Sequence, residues 1–307
     1  FDHWIEQLKA EVRSMRNHPS ILIWSIENEV TFINSRNLGL GARVEPQIAR
    51  AAREVMALDP TRPTMVDGGN CLMDKSLPVN GVHYLESDWR DYPDEAYTLD
   101  YAYHSHERAV GHWGKSPWEL VKDRPIFMGE SFFLRGYNPS AYSQFGGEAC
   151  FGGHGPAVKH AAGLYAKMLS EGYRWHGVAA THFSLSPSDA DLHHNSWRPV
   201  AVLCREWNWT FAGGSQVARR LKVFNSTRHS DPITMAWELT VGGQRVGGEA
   251  RAFDIPPGEA VETEIKLDLP RVSQRTAGQL VLTCLRKGQE VFREVKPLAL
   301  IDPAGGP

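Results

Sequence analysis

Two glutamates, Glu29 and Glu130, each follow a short apolar run that has the composition of a buried strand, residues 21–26 and 125–129. A pair of carboxylates at one mouth of a cleft can cleave a glycosidic bond, because one protonates the leaving oxygen while the other attacks the anomeric carbon or activates water. Carboxylates about 5 to 5.5 Å apart would retain the configuration of the sugar. Spacing alone leaves an alternative, in which both are surface glutamates at the starts of loops.

The first run, ILIWSIENEV, ends in an unusual cluster of polar side chains. Glu27, Asn28 and Glu29 do not suit a closed core together, because buried charges need partners. We therefore expect this end of the strand to face an open site. Glu27 either contacts a substrate there or bonds to the neighbouring backbone, and the sequence leaves both interpretations open.

The segments around these runs alternate between strand and helix patterns. Apolar residues at helical spacing predict helices, and short apolar runs bounded by Gly, Pro and Asn predict strands. The predicted helices cover 2–16, 44–58 and 157–169, and the predicted strands cover 20–26, 63–66, 81–85, 125–129 and 177–183. Such alternation is typical of an α/β fold with a parallel sheet, in which active groups gather at the carboxyl ends of the strands.

After about residue 205 the pattern changes to alternating apolar and polar residues with Gly-rich turns. This pattern predicts strands at 219–224, 233–241, 250–255, 261–267, 279–285 and 290–295. Short, regularly spaced strands are typical of an immunoglobulin-like β-sandwich. We therefore predict two domains, an α/β domain over 1–204 and an all-β domain over 205–307 with a supporting role.

The composition argues against several classes of function. A chain of 307 residues with a net charge of −3 has no basic surface for nucleic acid, and its apolar stretches fall short of the roughly 18 residues of a membrane span. The four cysteines lack CxxC spacing, so we expect buried free thiols. Two histidine pairs, His104 with His106 and His193 with His194, lack a carboxylate or Cys partner at ligand spacing, so we predict no metal site.

Three stretches resemble glycoside hydrolases of clan A, and most of all family 2, which contains β-galactosidase-, β-glucuronidase- and β-mannosidase-like enzymes. RNHPSILIWSIENE resembles the fourth strand of that family's (β/α)8 TIM barrel, RPIFMGE resembles the seventh, and LDPTRP resembles the link to strand five. The resemblance implies strands four to eight of a barrel, followed by a sandwich. Because barrels leave no unpaired parallel edge, we expect an upstream segment of the same protein to supply strands one to three.

By the same resemblance, Glu29 is the general acid and base, and Glu130 is the nucleophile. Asn28 would hydrogen-bond the sugar 2-hydroxyl, although an amide at a strand end also caps backbone groups. His83 and Tyr84 would stand at the mouth of the sixth strand, where the family places a tyrosine that bonds the nucleophile, or would only pack there. No metal or organic cofactor is implied.

The eighth strand departs from the family pattern, which places a tryptophan beneath the sugar. This chain reads GVAATHFSL there, with His182 and Phe183 in the corresponding region. Stacking on the sugar must then come from Phe183 or from a loop aromatic residue, for which Trp89, Trp113 and Trp197 are the candidates.

The sequence therefore predicts a glycosidase, a retaining β-glycoside hydrolase that cleaves β-linked glycosides or oligosaccharides by double displacement at two glutamates. Two alternatives stay open: an endo-acting polysaccharide hydrolase of another clan A family, such as an agarase, and a non-catalytic carbohydrate-binding barrel. The expected partner is a carbohydrate substrate, and oligomerisation is left open. Because the chain begins without Met inside a helix, cytoplasmic, periplasmic and secreted locations all stay open.

Overall fold

The computed structural model describes residues 1–69, 71–72, 74–83, 121, 123–131, 143, 145–183 and 190–303. These residues form two compact units. The first unit includes 1–69, 74–83, 123–131 and 176–183, and the second includes 145–175 and 190–303. The division of the chain into domains over 1–204 and 205–307 stays a prediction.

The first unit contains two amphipathic helices that share one apolar cluster. The helices among its described residues are α1 (Asp2–Met15), a single turn α2 (Ser35–Asn37) and α3 (Gly41–Leu58). Ile5 and Val12 of α1 pack in the same cluster as Ile48 and Val55 of α3, together with Ile26. The helices predicted at 2–16 and 44–58 are therefore present, and their apolar stripes face this cluster, as helical spacing requires.

In the described part of the first unit, five short strands form parallel pairs. They are β1 (Trp24–Asn28), β2 (Thr64–Asp67), β3 (Asn80–His83), β4 (Ile126–Ser131) and β5 (Ala180–Phe183). β1 pairs with β2, β3 pairs with β4, and β4 pairs with β5, all in the parallel sense. β2 also lies against β3, since a Cβ on Gly81 would overlap the backbone carbonyl of Val66. Parallel strands in chain order fit part of a (β/α) barrel.

Each parallel pairing of the first unit is irregular near its carboxyl end. The pairing register shifts just before the pair Asn28–Asp67 and just before the pair His83–Glu130. It also shifts just before the pair Ser131–Phe183. Such irregularities redirect side chains and are common next to active sites. The strand ends that the sequence selected as a site are therefore also the places where the sheet departs from regular geometry.

The second unit is built mainly from antiparallel strands. They are β6 (Val200–Cys204), β7 (Thr210–Ala212), β8 (Gln216–Asn225), β9 (Ile233–Val241), β10 (Gln244–Phe253), β11 (Ala260–Asp268), β12 (Thr276–Arg286) and β13 (Gln289–Ile301). One sheet has the order β10-β9-β12-β13-β7, and the other has the order β11-β8-β6. On β9, β11 and β13 alternate apolar residues are buried in one core that the two sheets share, which is the arrangement of a two-sheet sandwich.

The second unit also contains the helices α4 (Pro156–Trp175) and α5 (Ala190–His194). The prediction ended α4 at residue 169, but the helix continues because its apolar face does. Tyr165, Leu169 and Tyr173 are all buried along that face.

Four buried charges join α4 to β13. Lys167 Nζ lies 2.8 Å from carboxylate oxygens of both Glu171 and Glu294, and Lys296 Nζ lies 3.0 Å from Glu294. Burial alone would raise the pKa of Glu294, but the charges of Lys296 and Lys167 outweigh it and lower that pKa to about 2. The group is balanced in charge, as buried ionised side chains require.

The prediction of buried free thiols is confirmed, since all four cysteines are free and buried. Burial raises the pKa of the Cys204 and Cys284 thiols to about 12, so these thiols are unreactive at neutral pH. None of the helices in the described part of the chain has the length and apolar content that a membrane crossing demands.

Candidate active site

Glu29 lies one residue beyond β1, at the start of a π-helical turn over Val30–Asn34. Its φ of 57° is in the left-handed region, which costs a non-glycine residue about 1 to 2 kcal/mol. The turn is held in part by the N–H of Glu29, which donates to the backbone carbonyl of Asp67 at 2.9 Å. Backbone strain of this kind is concentrated at functional sites, where the surrounding structure fixes it.

Glu27 supports this turn from one side. Its Oε2 accepts the N–H of Val30 at 2.6 Å, and its Oε1 accepts the hydroxyl of Thr31 at 2.8 Å. Burial raises the pKa of Glu27, against the opposing effect of these two hydrogen bonds. Of the two interpretations that the sequence left open for Glu27, this geometry supports bonding to the neighbouring backbone.

His83 lies at the end of β3 between two carboxylates. Its Nδ1 lies 2.9 Å from Glu29 Oε1, and its Nε2 lies 2.8 Å from Asp67 Oδ1. The imidazole is fully buried, whereas the two carboxylates are each about one-fifth exposed. Burial alone would lower the pKa of His83, but the hydrogen bonds to Asp67 and Glu29, with the charge of Glu130, hold that pKa above its usual value.

Asp67 was not among the residues that the sequence selected. It ends β2, and the absence of a side chain at Gly129 leaves room for its carboxylate, because a Cβ there would overlap the carboxylate oxygens. The signal was available, since Asp67 is the polar residue that follows the predicted strand 63–66. The rule that selected Glu29 and Glu130 at strand ends also selects Asp67.

Glu130 lies within β4, where the bulged ladder places it opposite His83. Glu29, His83 and Glu130 each offer one atom, and these atoms all lie within 4.8 Å of one another. Such a group could hold a metal ion, but both ring nitrogens of His83 already face carboxylate oxygens at hydrogen-bond distance. A metal ion bound at Nδ1 would replace the hydrogen bond to Glu29, and the hydrogen bonds as they stand allow proton exchange between His83 and the carboxylates.

The other predicted sugar-binding residues that the structure describes lie at strand ends or in the second unit. Asn28 is exposed next to Glu29, and His182 is exposed on β5. Trp197 belongs to the second unit, in a short 3₁₀-helix, and is 39% exposed. Their contacts with a sugar stay predictions.

Several predicted residues fall outside what the structure describes. The backbone of Phe183 completes β5, but its side chain lies outside the described residues. Tyr84, Trp89 and Trp113 also lie outside the described residues. Their roles at the site stay predictions that rest on the sequence.

The first third of the chain matches a known family. Residues 1–108 match the model of the TIM barrel domain of glycosyl hydrolases family 2. This is the family that the motifs around Glu29 indicated, and the matched residues include β1, β2 and β3 with Glu29, Asp67 and His83.

Curated relatives and solved structures are similar over limited ranges. The beta-glucuronidases of Pongo abelii and Homo sapiens are each 27% identical over 172 residues, which is 56% of this chain and 22% of each relative. The chain thus spans about a fifth of the length of these relatives.

A solved FMN-binding beta-glucuronidase from Facaelibacterium prausnitzii L2-6 aligns over 100% of this chain and 45% of its own, with 13% identity and a TM-score of 0.40. A putative beta-galactosidase from Bacteroides fragilis aligns over 37% of this chain and 17% of its own, with 19% identity and a TM-score of 0.25.

Proposed function

We propose, on the premise that residues 1–108 belong to the family 2 barrel domain, that the protein is a glycosidase that hydrolyses β-glycosidic bonds and retains the configuration of the sugar. The observation that carries this proposal is the approach of Glu29 and Glu130, which offer oxygens within 4.8 Å of each other. An inverting enzyme needs about 6.5 to 9.5 Å between its carboxyl groups to admit a water molecule. In this proposal β1 and β4 correspond to the fourth and seventh strands of the family barrel.

The first chemical step forms a glycosyl-enzyme. Glu29 donates a proton to the glycosidic oxygen, the bond between that oxygen and the anomeric carbon breaks, and the aglycone leaves as an alcohol. A carboxylate oxygen of Glu130 forms the new bond to the anomeric carbon. Asn28 is exposed beside Glu29, where its amide is available to the sugar 2-hydroxyl.

The second step returns the enzyme to its starting state. The carboxylate of Glu29 takes a proton from water, whose oxygen attacks the anomeric carbon and releases Glu130. Two inversions at the anomeric carbon give net retention. The same side chain therefore acts first as an acid and then as a base.

The first sugars to test are those that the names of the relatives suggest. We propose β-glucuronides as the first class, since both curated relatives are named beta-glucuronidase. β-Galactosides and β-mannosides are the next classes to test, because the motifs around Glu29 and Glu130 resemble those of family 2. Product size from polysaccharides separates exo-acting from endo-acting hydrolysis. A barrel that only binds carbohydrate would show no turnover with any of these substrates.

Replacement of the nucleophile tests the proposal. Glu130→Ala should abolish hydrolysis by the full protein, and azide should restore turnover by attacking the anomeric carbon in the space left by the carboxylate, which gives an α-glycosyl azide. Glu11→Ala on the exposed side of α1 is the matched control and should keep full activity. Hydrolysis by Glu130→Ala at the wild-type rate would overturn the proposal.

A further inference from the structure

The contacts of His83 restrict where protons lie in this site. A neutral imidazole has one nitrogen that donates and one that accepts, whereas an ionised carboxylate only accepts. Asp67 Oδ1 faces Nε2 at 2.8 Å, so an ionised Asp67 requires the ring proton on Nε2. Nδ1 then has a lone pair directed at Glu29 Oε1, 2.9 Å away. Two acceptors do not approach so closely unless a proton lies between them.

We propose that Asp67 is a positioning residue for glycoside hydrolysis, because it fixes His83 so that the hydrogen bond between His83 and Glu29 stores the proton that Glu29 delivers to the leaving oxygen. This inference rests on the function proposed above. Asp67 acts through His83 and touches neither the sugar nor the scissile bond, so its effect should appear wherever protonation of the leaving group matters.

The surroundings of His83 favour keeping this proton. The described charged groups that face the imidazole are Glu29 after β1, Asp67 at the end of β2 and Glu130 on β4, and all three are carboxylates. Their combined effect outweighs burial and raises the pKa of His83. The backbone carbonyl of Asp67 also accepts the backbone N–H of Glu29, so the main chain that carries the Asp67 carboxylate also holds Glu29 in place.

The proton balance of the catalytic cycle follows directly. In the first step one proton passes from the Glu29–His83 pair to the glycosidic oxygen. The other ring proton stays on Nε2 and keeps its hydrogen bond to Asp67. In the second step the attacking water returns one proton to the pair, and its hydroxyl group becomes part of the sugar product. No oxidant, metal or further acid is needed, because the same proton position is emptied and refilled in each turnover.

The test compares substrates that differ only in their leaving group. In Asp67→Asn the amide NH₂ can donate to Nε2, so the one proton of the neutral ring moves to Nδ1 and bonds to an ionised Glu29. Delivery of that proton would leave an imidazolate anion, so the variant has no proton available for the leaving oxygen. We expect kcat/KM for an alkyl β-glycoside to fall by about 10² to 10⁴, the usual contribution of general acid catalysis. A dinitrophenyl β-glycoside needs no protonation of its leaving group, so its kcat/KM should fall by less than about tenfold. The alkaline limb of the pH profile should also move to lower pH.

Two further variants keep the result interpretable. Asp123→Asn makes the same chemical change at a side chain that is 83% exposed, and it should behave as wild type with both substrates. His83→Gln removes the imidazole that connects Asp67 to Glu29, and it should reproduce the dependence on the leaving group if Asp67→Asn fails to fold. Circular dichroism and thermal unfolding report on the folded state of each variant.

The outcomes separate this inference from the function on which it rests. If Asp67→Asn loses activity equally with both substrates, or loses none, the inference that Asp67 helps to store the proton is wrong. Asp67 would then be a structural residue. In that case the wild-type protein still hydrolyses both substrates and still needs Glu130. If the wild-type protein hydrolyses neither substrate, the proposed function itself fails.

Discussion

Glu27 holds the turn that presents Glu29, and its replacement tests how much of the site depends on that support. Glu27→Ala removes the acceptor from the N–H of Val30 and from the hydroxyl of Thr31, which bond to it at 2.6 and 2.8 Å. A hydrogen bond to a charged group contributes about 1.5 to 3 kcal/mol. The burial of the carboxylate offsets part of this, so we expect the free energy of unfolding to fall by about 3 kcal/mol.

Glu27→Gln is the matched control. Its amide oxygen can accept the N–H of Val30, and its NH₂ group can donate to Thr31, because a hydroxyl also accepts. We therefore expect a loss of about 1 kcal/mol or less at neutral pH. Glu27→Ala should also lower kcat by about tenfold or more, because a small misplacement of a catalytic group is costly, while Glu27→Gln should keep most of the activity.

The same pair of variants gives a dependence on pH with a definite sign. Burial raises the pKa of Glu27 above its usual value of 4.5, so the folded state favours the protonated form. The stabilising effect of that proton is complete below pH 4.5 and is lost as the pH rises through the pKa of the folded state. Wild type should therefore lose stability relative to Glu27→Gln as the pH rises above 4.5.

Urea unfolding at several pH values, with kcat measured on the same samples, checks these expectations. The reasoning would be refuted by a Glu27→Ala protein that is as stable and as active as Glu27→Gln. It would also be refuted if the stability difference between wild type and Glu27→Gln stayed constant with pH.

Two further predictions concern packing and buried charge. Gly81→Ala should destabilise the protein by about 3 kcal/mol in urea unfolding, because the added Cβ overlaps the backbone carbonyl of Val66, which cannot move aside. Gly41→Ala is the control, because a Cβ there has open space, and it should be neutral or slightly stabilising. Equal stability of the two variants would contradict the close approach of β2 and β3. Glu294→Gln should cost about 3 kcal/mol at neutral pH, because Lys296 loses a buried partner. The pKa of Glu294 is about 2, so its contribution to the free energy of unfolding is present above pH 4.5 and is lost as the pH falls toward 2. The stability difference between wild type and Glu294→Gln should therefore shrink in acid. Glu290→Gln changes an exposed carboxylate and should show neither effect.

Periodicity alone predicted the elements with one clearly buried face. The alternation in ITMAWELTV placed a strand at 233–241, and β9 has those bounds, because every second residue of that strand must enter the core of the sandwich. In contrast, the short strands β6 and β7 were not predicted. All five residues of β6 are buried, so it shows no alternation, and a continuous apolar run does not distinguish a strand from other buried segments.

The site was predictable as a set of strand ends but not as a set of contacts. A polar residue after an apolar run identifies Glu29, Glu130 and, by the same rule, Asp67. The sequence does not encode the left-handed φ of Glu29 or the register shift before Asn28 in a readable way, because both depend on how β1 and β2 pair. The placement of His83 between two carboxylates also depends on the approach of β3 to β2, so only the structure could show it.

The stereochemistry of the first product tests most directly whether Glu29 and Glu130 act as a retaining pair. Proton NMR of the full protein with a β-glycoside that it hydrolyses should show the β-anomer of the free sugar first, with the α-anomer appearing later by mutarotation. Release of the α-anomer first would contradict the proposed function, because inversion needs a water molecule between carboxyl groups at least about 6.5 Å apart.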